Sequence, residues 1–296
     1  MNFKNYCDLY LKLGKDEWKY STYSKNEGIV KNRLSCFFDY EIEDIKPSDI
    51  RVWINSIVDV GQKSKKHYLT ALSGIFNLAL QDELITKNPI IHIKKLSYQA
   101  PRIEPFTNSE VGAILRESKN YNFNFMLFIH LGFFTGMRTG EIIALKNSDI
   151  DLKNKIITIN ATRSRFGETT PKTKKSIRKI PILNYLYVIL NDKFNTRAYE
   201  TKEYLLETQY GLPYRDTYIF QHNFWKPILK KLNIRYRRPY TMRHTYATNM
   251  LHKNLVTPVE LANLLGHSST KMIYDVYVNY LNQNLDDFNR DISIYS

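Results

Sequence analysis

The sequence predicts a mainly α-helical protein in two parts: a small helical N-terminal domain, and a larger, mostly helical C-terminal domain with a small antiparallel β-sheet. Three observations carry that expectation. The 296 residues exceed the roughly 150 that one core ordinarily organises. Segments such as Ser21 to Phe38 and Lys63 to Leu84 place apolar residues at helical spacing. Only two short runs, Ile156 to Ile159 and Ile177 to Ile182, have β character, and Gly167, Pro171 and Pro181 flank them.

In chain order, Ser21 to Phe38 is the first helix with a clear apolar face. Lys46-Pro47-Ser48 opens another, since proline is tolerated in a first helical turn. The third, Lys63 to Leu84, stops before Asn88-Pro89, where the residue preceding proline disfavours the α region. Lys94 to Glu104, with Pro101 and few apolar residues, reads as a linker. The expected boundaries are therefore residues 1–97, a linker at 98–104, and a second domain over 105–296. Thr107-Asn108-Ser109-Glu110 has capping-box form and starts a helix. An apolar helix from about Phe123 ends near Thr135-Gly136, and another begins near Thr139. After the two β runs the chain turns helical again beyond Thr241, and Thr257-Pro258-Val259-Glu260 marks a further helix start.

Composition excludes several classes. A hydrophobic content of 43% with 14% aromatic residues is too rich for a disordered chain. The longest apolar stretch, Phe123 to Phe134, is broken by Asn124 and His130, short of the ~20 residues a membrane span needs. The opening MNFKNYCDLY lacks an apolar h-region, which argues against a secretory signal and for a cytoplasmic protein. Cys7 and Cys36 make no disulfide framework, and no Cys/His cluster has metal-ligand spacing.

The net charge of +14 is unevenly placed. Residues 1–100 hold 15 basic and 12 acidic side chains, so the excess lies beyond them. Lys153 to Lys179 contains nine Lys/Arg against Glu168 alone, and Thr217 to Val259 contains no acid. Either block alone reads equally as a solvated face. Two blocks interleaved with Tyr, Phe and Trp favour contact with a phosphate backbone.

Four segments hold residues suited to chemistry. Thr135-Gly136-Met137-Arg138-Thr139-Gly140-Glu141 puts Arg138 at a helix start, either to converge with backbone N–H groups on an anion or as an ordinary exposed arginine. Lys172, in Pro171-Lys172-Thr173, is either solvated or directed at a leaving oxygen. Tyr240-Thr241-Met242-Arg243-His244 offers a second helix-start arginine. Leu264-Leu265-Gly266-His267-Ser268-Ser269 leads to Tyr274, Tyr277 and Tyr280, which on spacing alone form a packing stripe.

Together these segments resemble the tyrosine recombinases of the phage-integrase family. The family's T-G-x-R-x-G-E is matched at Thr135 to Glu141, and L-R-H-T-x-A-T by Met242 to Thr248 with Met in place of Leu. L-G-H-S-S is matched at Leu265 to Ser269, and a tyrosine follows at the expected distance. The two arginines stand 105 residues apart, and Tyr277 lies 34 beyond the second. The motifs cover about residues 105–280, while residues 1–96 resemble, more weakly, the family's helical core-binding domain.

The resemblance implies a site-specific recombinase that clamps duplex DNA, cuts one strand at a time through a 3′-phosphotyrosine, and works as a homo-tetramer through a Holliday junction. Accessory DNA-bending proteins are a further implied partner class, and no metal or other cofactor is implied. Carried over, Arg138 and Arg243 clamp the scissile phosphate, Lys172 protonates the leaving 5′ oxygen, and His267 donates to a non-bridging oxygen. Glu141 supports the site, and Tyr277 is the nucleophile, with Tyr274 and Tyr280 as rivals. Tyr240 stands where the family usually has histidine, and a phenol with pKa near 10 is a poorer base than an imidazole near 6.5. The tail, Leu281 to Ser296, is a candidate for exchange between subunits or for packing on its own domain. A type IB-like topoisomerase and a non-catalytic DNA-binding regulator are the alternative functions.

Overall fold

The computed structural model describes residues 2–94, 96–98, 103–171, 173–195 and 203–277, with the backbone alone at 174 and 275–277. It divides into two compact units, residues 1–101 and 102–296.

The first unit is built from α1 (Phe3–Glu17), α2 (Tyr20–Arg33), α3 (Pro47–Ser56) and α4 (Gln62–Gln81). Its core joins Phe3, Leu34, Ile50, Leu72, Ile75 and Phe76, each worth about 1.5–3 kcal/mol when fully buried. The helix expected over Ser21 to Phe38 ends sooner, at Arg33. A 3-10 turn at Ser35–Phe37 follows it and brings Phe37 edge-on to Phe3 and Trp53, at 5.8 and 5.6 Å. A continued helix would have kept Phe37 on α2's own surface. The Trp53 indole N–H donates to the Arg33 carbonyl at 2.8 Å, satisfying one of the carbonyls that a helix end leaves unpaired.

The second unit opens with α5 (Asn108–Ser118), where Thr107 and Glu110 form the reciprocal capping box. Then come α6 (Phe123–Thr135) and α7 (Thr139–Ile142). Next are the strands β1 (Ile150–Asp151), β2 (Ile156–Ile159), β3 (Thr162–Ser164), β4 (Gly167–Thr169) and β5 (Arg178–Pro181). Helix α8 (Asn184–Phe194) and a π-helical turn at Phe220–Trp225 leading into α9 (Lys226–Lys231) follow. The last helices are α10 (Thr241–His252), α11 (Pro258–Leu265) and α12 (Lys271–Tyr277).

β2 is the centre of an antiparallel β1-β2-β5 sheet, registered Ile157 to Ile180 and Ile159 to Arg178. Facing residues in such a ladder share one side, so Ile157, Ile159 and Ile180 enter the core while Thr158 and Lys179 turn away. A second hairpin, β3-β4, was not expected, because Thr162-Arg163-Ser164 and Gly167-Glu168-Thr169 carry no apolar alternation to mark it. The helix expected near Thr139 is a single turn, seated on that hairpin. A Cβ on Gly140 would lie 2.7 Å from the Arg163 carbonyl oxygen, so glycine permits the approach. α6 is apolar on every side and α10 crosses it at Gly132, where a Cβ would meet the Met242 side chain at 2.5 Å. That crossing carries the start of α10 to the end of α6.

Candidate active site

Two helix ends make the anchor of the site. α6 closes on Gly136 at φ 63° and α11 on Gly266 at φ 68°, both left-handed. Glycine enters that region without the steric cost other residues meet. The two closures turn the Gly136 and Leu265 carbonyls toward Arg243, whose Nη1 donates to Gly136 O at 2.8 Å and Nη2 to Leu265 O at 2.7 Å. A helix C-terminus carries partial negative charge, so two of them suit a cation. Arg243 is only 1% exposed, and its hydrogen bonds go to main-chain carbonyls and to His267. Burial first, with Arg138 and Arg178 adding to it, pushes its pKa down to about 10, so the guanidinium keeps its charge at neutral pH.

His267, next after Gly266, receives an Nη2 hydrogen bond from Arg243 at its Nε2, 2.8 Å away. Burial first, then the charges of Arg243, Arg138 and Arg178, push its pKa down to about 4. The ring is therefore neutral at pH 7. Because a guanidinium can only donate, Nε2 accepts and the proton resides on Nδ1. That Nδ1 is buried and has no hydrogen-bond partner among the described residues.

Arg138 is the N-cap of α7. Its backbone N–H donates to Glu141 Oε2 at 2.8 Å and its Nη1 to Glu141 Oε1 at 2.7 Å. Glu141 is buried and also receives both Nη groups of Arg178, at 3.1 and 2.9 Å. Burial acts to raise its pKa, but the hydrogen bonds and charge of Arg178, joined by Arg138, hold it below the usual carboxylate value. Glu141 is ionised at neutral pH, and two guanidinium groups, those of Arg138 and Arg178, share that one carboxylate.

Arg138, Glu141, Thr173, Ser176, Gly266 and His267 line a cleft of about 370 Å³, with Arg243 behind His267. The structure thus brings Arg138, Glu141, Arg243 and His267 to one corner. Tyr240, just ahead of α10, is half-exposed and sets its ring edge-on to His244 at 5.0 Å. Burial first, then Arg243, pushes His244 down to about 4, a neutral ring at pH 7. Tyr277 is the last residue of α12, and Tyr274, one turn earlier, is about half exposed. Lys172, Tyr280 and the tail from Leu281 lie outside the described residues.

Arg178 is the residue of this corner that motif spacing did not single out as functional. The period-2 pattern of Arg178, Ile180 and Ile182 was the available signal, since it sets an arginine on the apolar side of β5. Among the described residues no group of three or more His, Cys, Asp or Glu could hold a metal ion. No helix among them is long and apolar enough to cross a membrane.

The phage integrase family profile matches residues 104–284, and that of its N-terminal SAM-like domain matches residues 2–58. The chain belongs to the phage integrase family. It is an enzyme of the tyrosine-recombinase type. It is 27% identical to the tyrosine recombinase XerC-like protein of Caldanaerobacter subterraneus subsp. tengcongensis, over 89% of this chain and 75% of that one. The Tn1549 transposon integrase, solved in complex with transposon right end DNA, superposes with a TM-score of 0.79 at 22% identity, covering 94% of this chain and 95% of that one. A lambda integrase tetramer bound to a Holliday junction superposes at 0.72 with 19% identity, covering 91% and 78%. At these identities the two structures establish a common fold.

Proposed function

We propose that the protein is a site-specific recombinase that cleaves and rejoins double-stranded DNA through a covalent 3′-phosphotyrosine. The Tyr277 oxygen attacks the scissile phosphorus and releases its phenolic proton to solvent, the bond to the 5′ oxygen breaks, and Lys172 gives that oxygen a proton, so that one proton leaves and one is supplied. Arg138 and Arg243 hold the non-bridging oxygens, and His267 donates to one of them. Glu141 keeps Arg138 in place. Rejoining reverses the step, with a free 5′ hydroxyl as nucleophile, so the bond energy is stored and no ATP is consumed.

The observation that carries this reading is the surplus of fixed positive charge: three guanidinium groups against one carboxylate, with the Arg243 charge anchored by main-chain carbonyls. Phosphoryl transfer demands such stabilisation, and fixed donors supply it without reorganising during the reaction. Residues 1–97 grip the duplex as the core-binding domain, 98–104 link it to the catalytic domain, and 105–296 form that domain. A homo-tetramer on DNA, working through a Holliday junction with DNA-bending accessory proteins, in a cytoplasmic, DNA-associated setting, completes the reading. The tetramer and the DNA complexes of the structural relatives support it.

The test is a nicked suicide duplex that traps a covalent complex on a denaturing gel. Tyr277→Phe should bind the duplex as the native protein does and form no adduct. An adduct that persists in Tyr277→Phe and disappears only in Tyr274→Phe assigns the nucleophile to Tyr274. No adduct from the native chain on its own site would refute covalent catalysis.

A further inference from the structure

Arg178 occupies a position that its register makes costly. It pairs across the ladder with Ile159, on the side of the sheet that Ile157 and Ile180 send into the core, and its side chain is only 5% exposed. An arginine there is tolerated only when its donors find partners. Four of its five N–H donors do, on three separate segments. Nη1 and Nη2 grip the Glu141 carboxylate at 3.1 and 2.9 Å, Nε donates to Leu264 O at 2.6 Å, and Nη1 also reaches Ser176 O at 3.0 Å.

Each partner belongs to a different part of the site. Glu141 orients Arg138 through both its side chain and its backbone N–H. Leu264 is three residues before His267, and a Cβ on the intervening Gly266 would stand 3.1 Å from the Arg178 Cδ and Nη1. Ser176 belongs to the short segment that begins just after Lys172, and its hydroxyl reaches Gly266 O at 3.5 Å.

We infer that Arg178 is a positioning residue for strand cleavage: it keys the Arg138 helix start, the His267 turn and the segment after Lys172 into one rigid frame. Its action on the phosphate runs through Glu141 and Arg138. The inference rests on the covalent mechanism proposed above. A lysine cannot replace it, because one ammonium lacks the planar fork that meets a carboxylate side-on while Nε turns to a carbonyl.

The experiment compares native protein, Arg178→Lys, Glu141→Gln and the double variant on the suicide duplex. It records duplex affinity, single-turnover adduct rate and melting temperature. The native chain must form the adduct; if it does not, the covalent reading fails and this inference falls with it. If it does, Arg178→Lys should lower the adduct rate about 100-fold, the scale of a small misplacement of catalytic groups. Affinity should stay within about two-fold, since the phosphate-backbone contacts that dominate it are distributed over the interface. Because both changes act through one chain of contacts, the double variant should be no slower than the slower single variant. An adduct rate unchanged in Arg178→Lys overturns the inference, as does a loss of rate and affinity together. Strictly multiplicative losses in the double variant overturn the route through Glu141. Should Arg178→Lys fail to fold, Glu141→Gln carries the test: a native adduct rate in that variant overturns the inference.

Discussion

Replacing Gly136 by alanine tests whether the anchor of Arg243 is as tight as its geometry implies. Two costs add. The first is conformational: φ 63° is left-handed, where an L residue loses about 1–2 kcal/mol. The second is steric: the new Cβ would stand 2.4 Å from Tyr246 Cδ1 and 2.9 Å from Leu265 Cδ2, far inside contact distance. Overpacking of this kind costs about 1–3 kcal/mol, because α10 and α11 must move apart. The sum is about 2–5 kcal/mol, a melting-temperature loss of roughly 4–20 °C at about 2–4 °C per kcal/mol. Gly211→Ala is the matched control, since its φ of 71° lies in the same left-handed region but nothing lies within 4 Å of its added Cβ. It reports the backbone cost alone. Urea unfolding and thermal melts of the two variants, with the suicide-duplex assay alongside, measure the difference. Gly136→Ala should lose more stability than Gly211→Ala and cut the adduct rate further, since its carbonyl holds Arg243 Nη1. Equal stability losses would refute the tight anchor, because the backbone cost is common to both.

Two further outcomes follow from charge. His244 and His267 both have folded pKa values of about 4, below the ordinary 6.5, so the unfolded chain binds more protons between those values. Stability should therefore be fully present above about pH 6.5 and fall as pH drops toward 4, by up to about 1.4 kcal/mol per pH unit for each ring. Urea midpoints across pH 4–8 check it, and a midpoint that rises on acidification would contradict the burial of both rings. Duplex affinity should fall steeply with salt, with a log–log slope near −0.9 per phosphate neutralised. A nearly flat slope would remove the role assigned to the basic excess beyond residue 100.

Much of the frame was legible because its signals are local. The capping boxes at Thr107 and Thr257 start helices where expected, since one hydroxyl and one carboxylate within four residues satisfy the free N–H groups. Gly136 ends its helix where expected, for an equally local reason. Other features were not legible. α2 stops at Arg33 because Phe37 finds Phe3 and Trp53, which come from distant parts of the unit. The β3-β4 hairpin is held by a ladder between polar strands and by the cross-strand pair of Arg163 and Glu168, and from outside by the Tyr204 hydroxyl, which accepts from Arg163.

The sequence by itself determined several helix starts, the helix end at Gly136 and the motif spacing of Arg138, Arg243 and His267, because turns, caps and motif spacing are properties of neighbouring residues. Only the tertiary structure decided what those residues touch. Arg178 meets Glu141 across 37 residues and Leu264 across 86, and Arg243 meets Gly136 across 107. Whether a guanidinium is a solvated surface charge or a buried key depends on which carbonyls and carboxylates packing brings within 3 Å, and spacing along a chain carries no such distance.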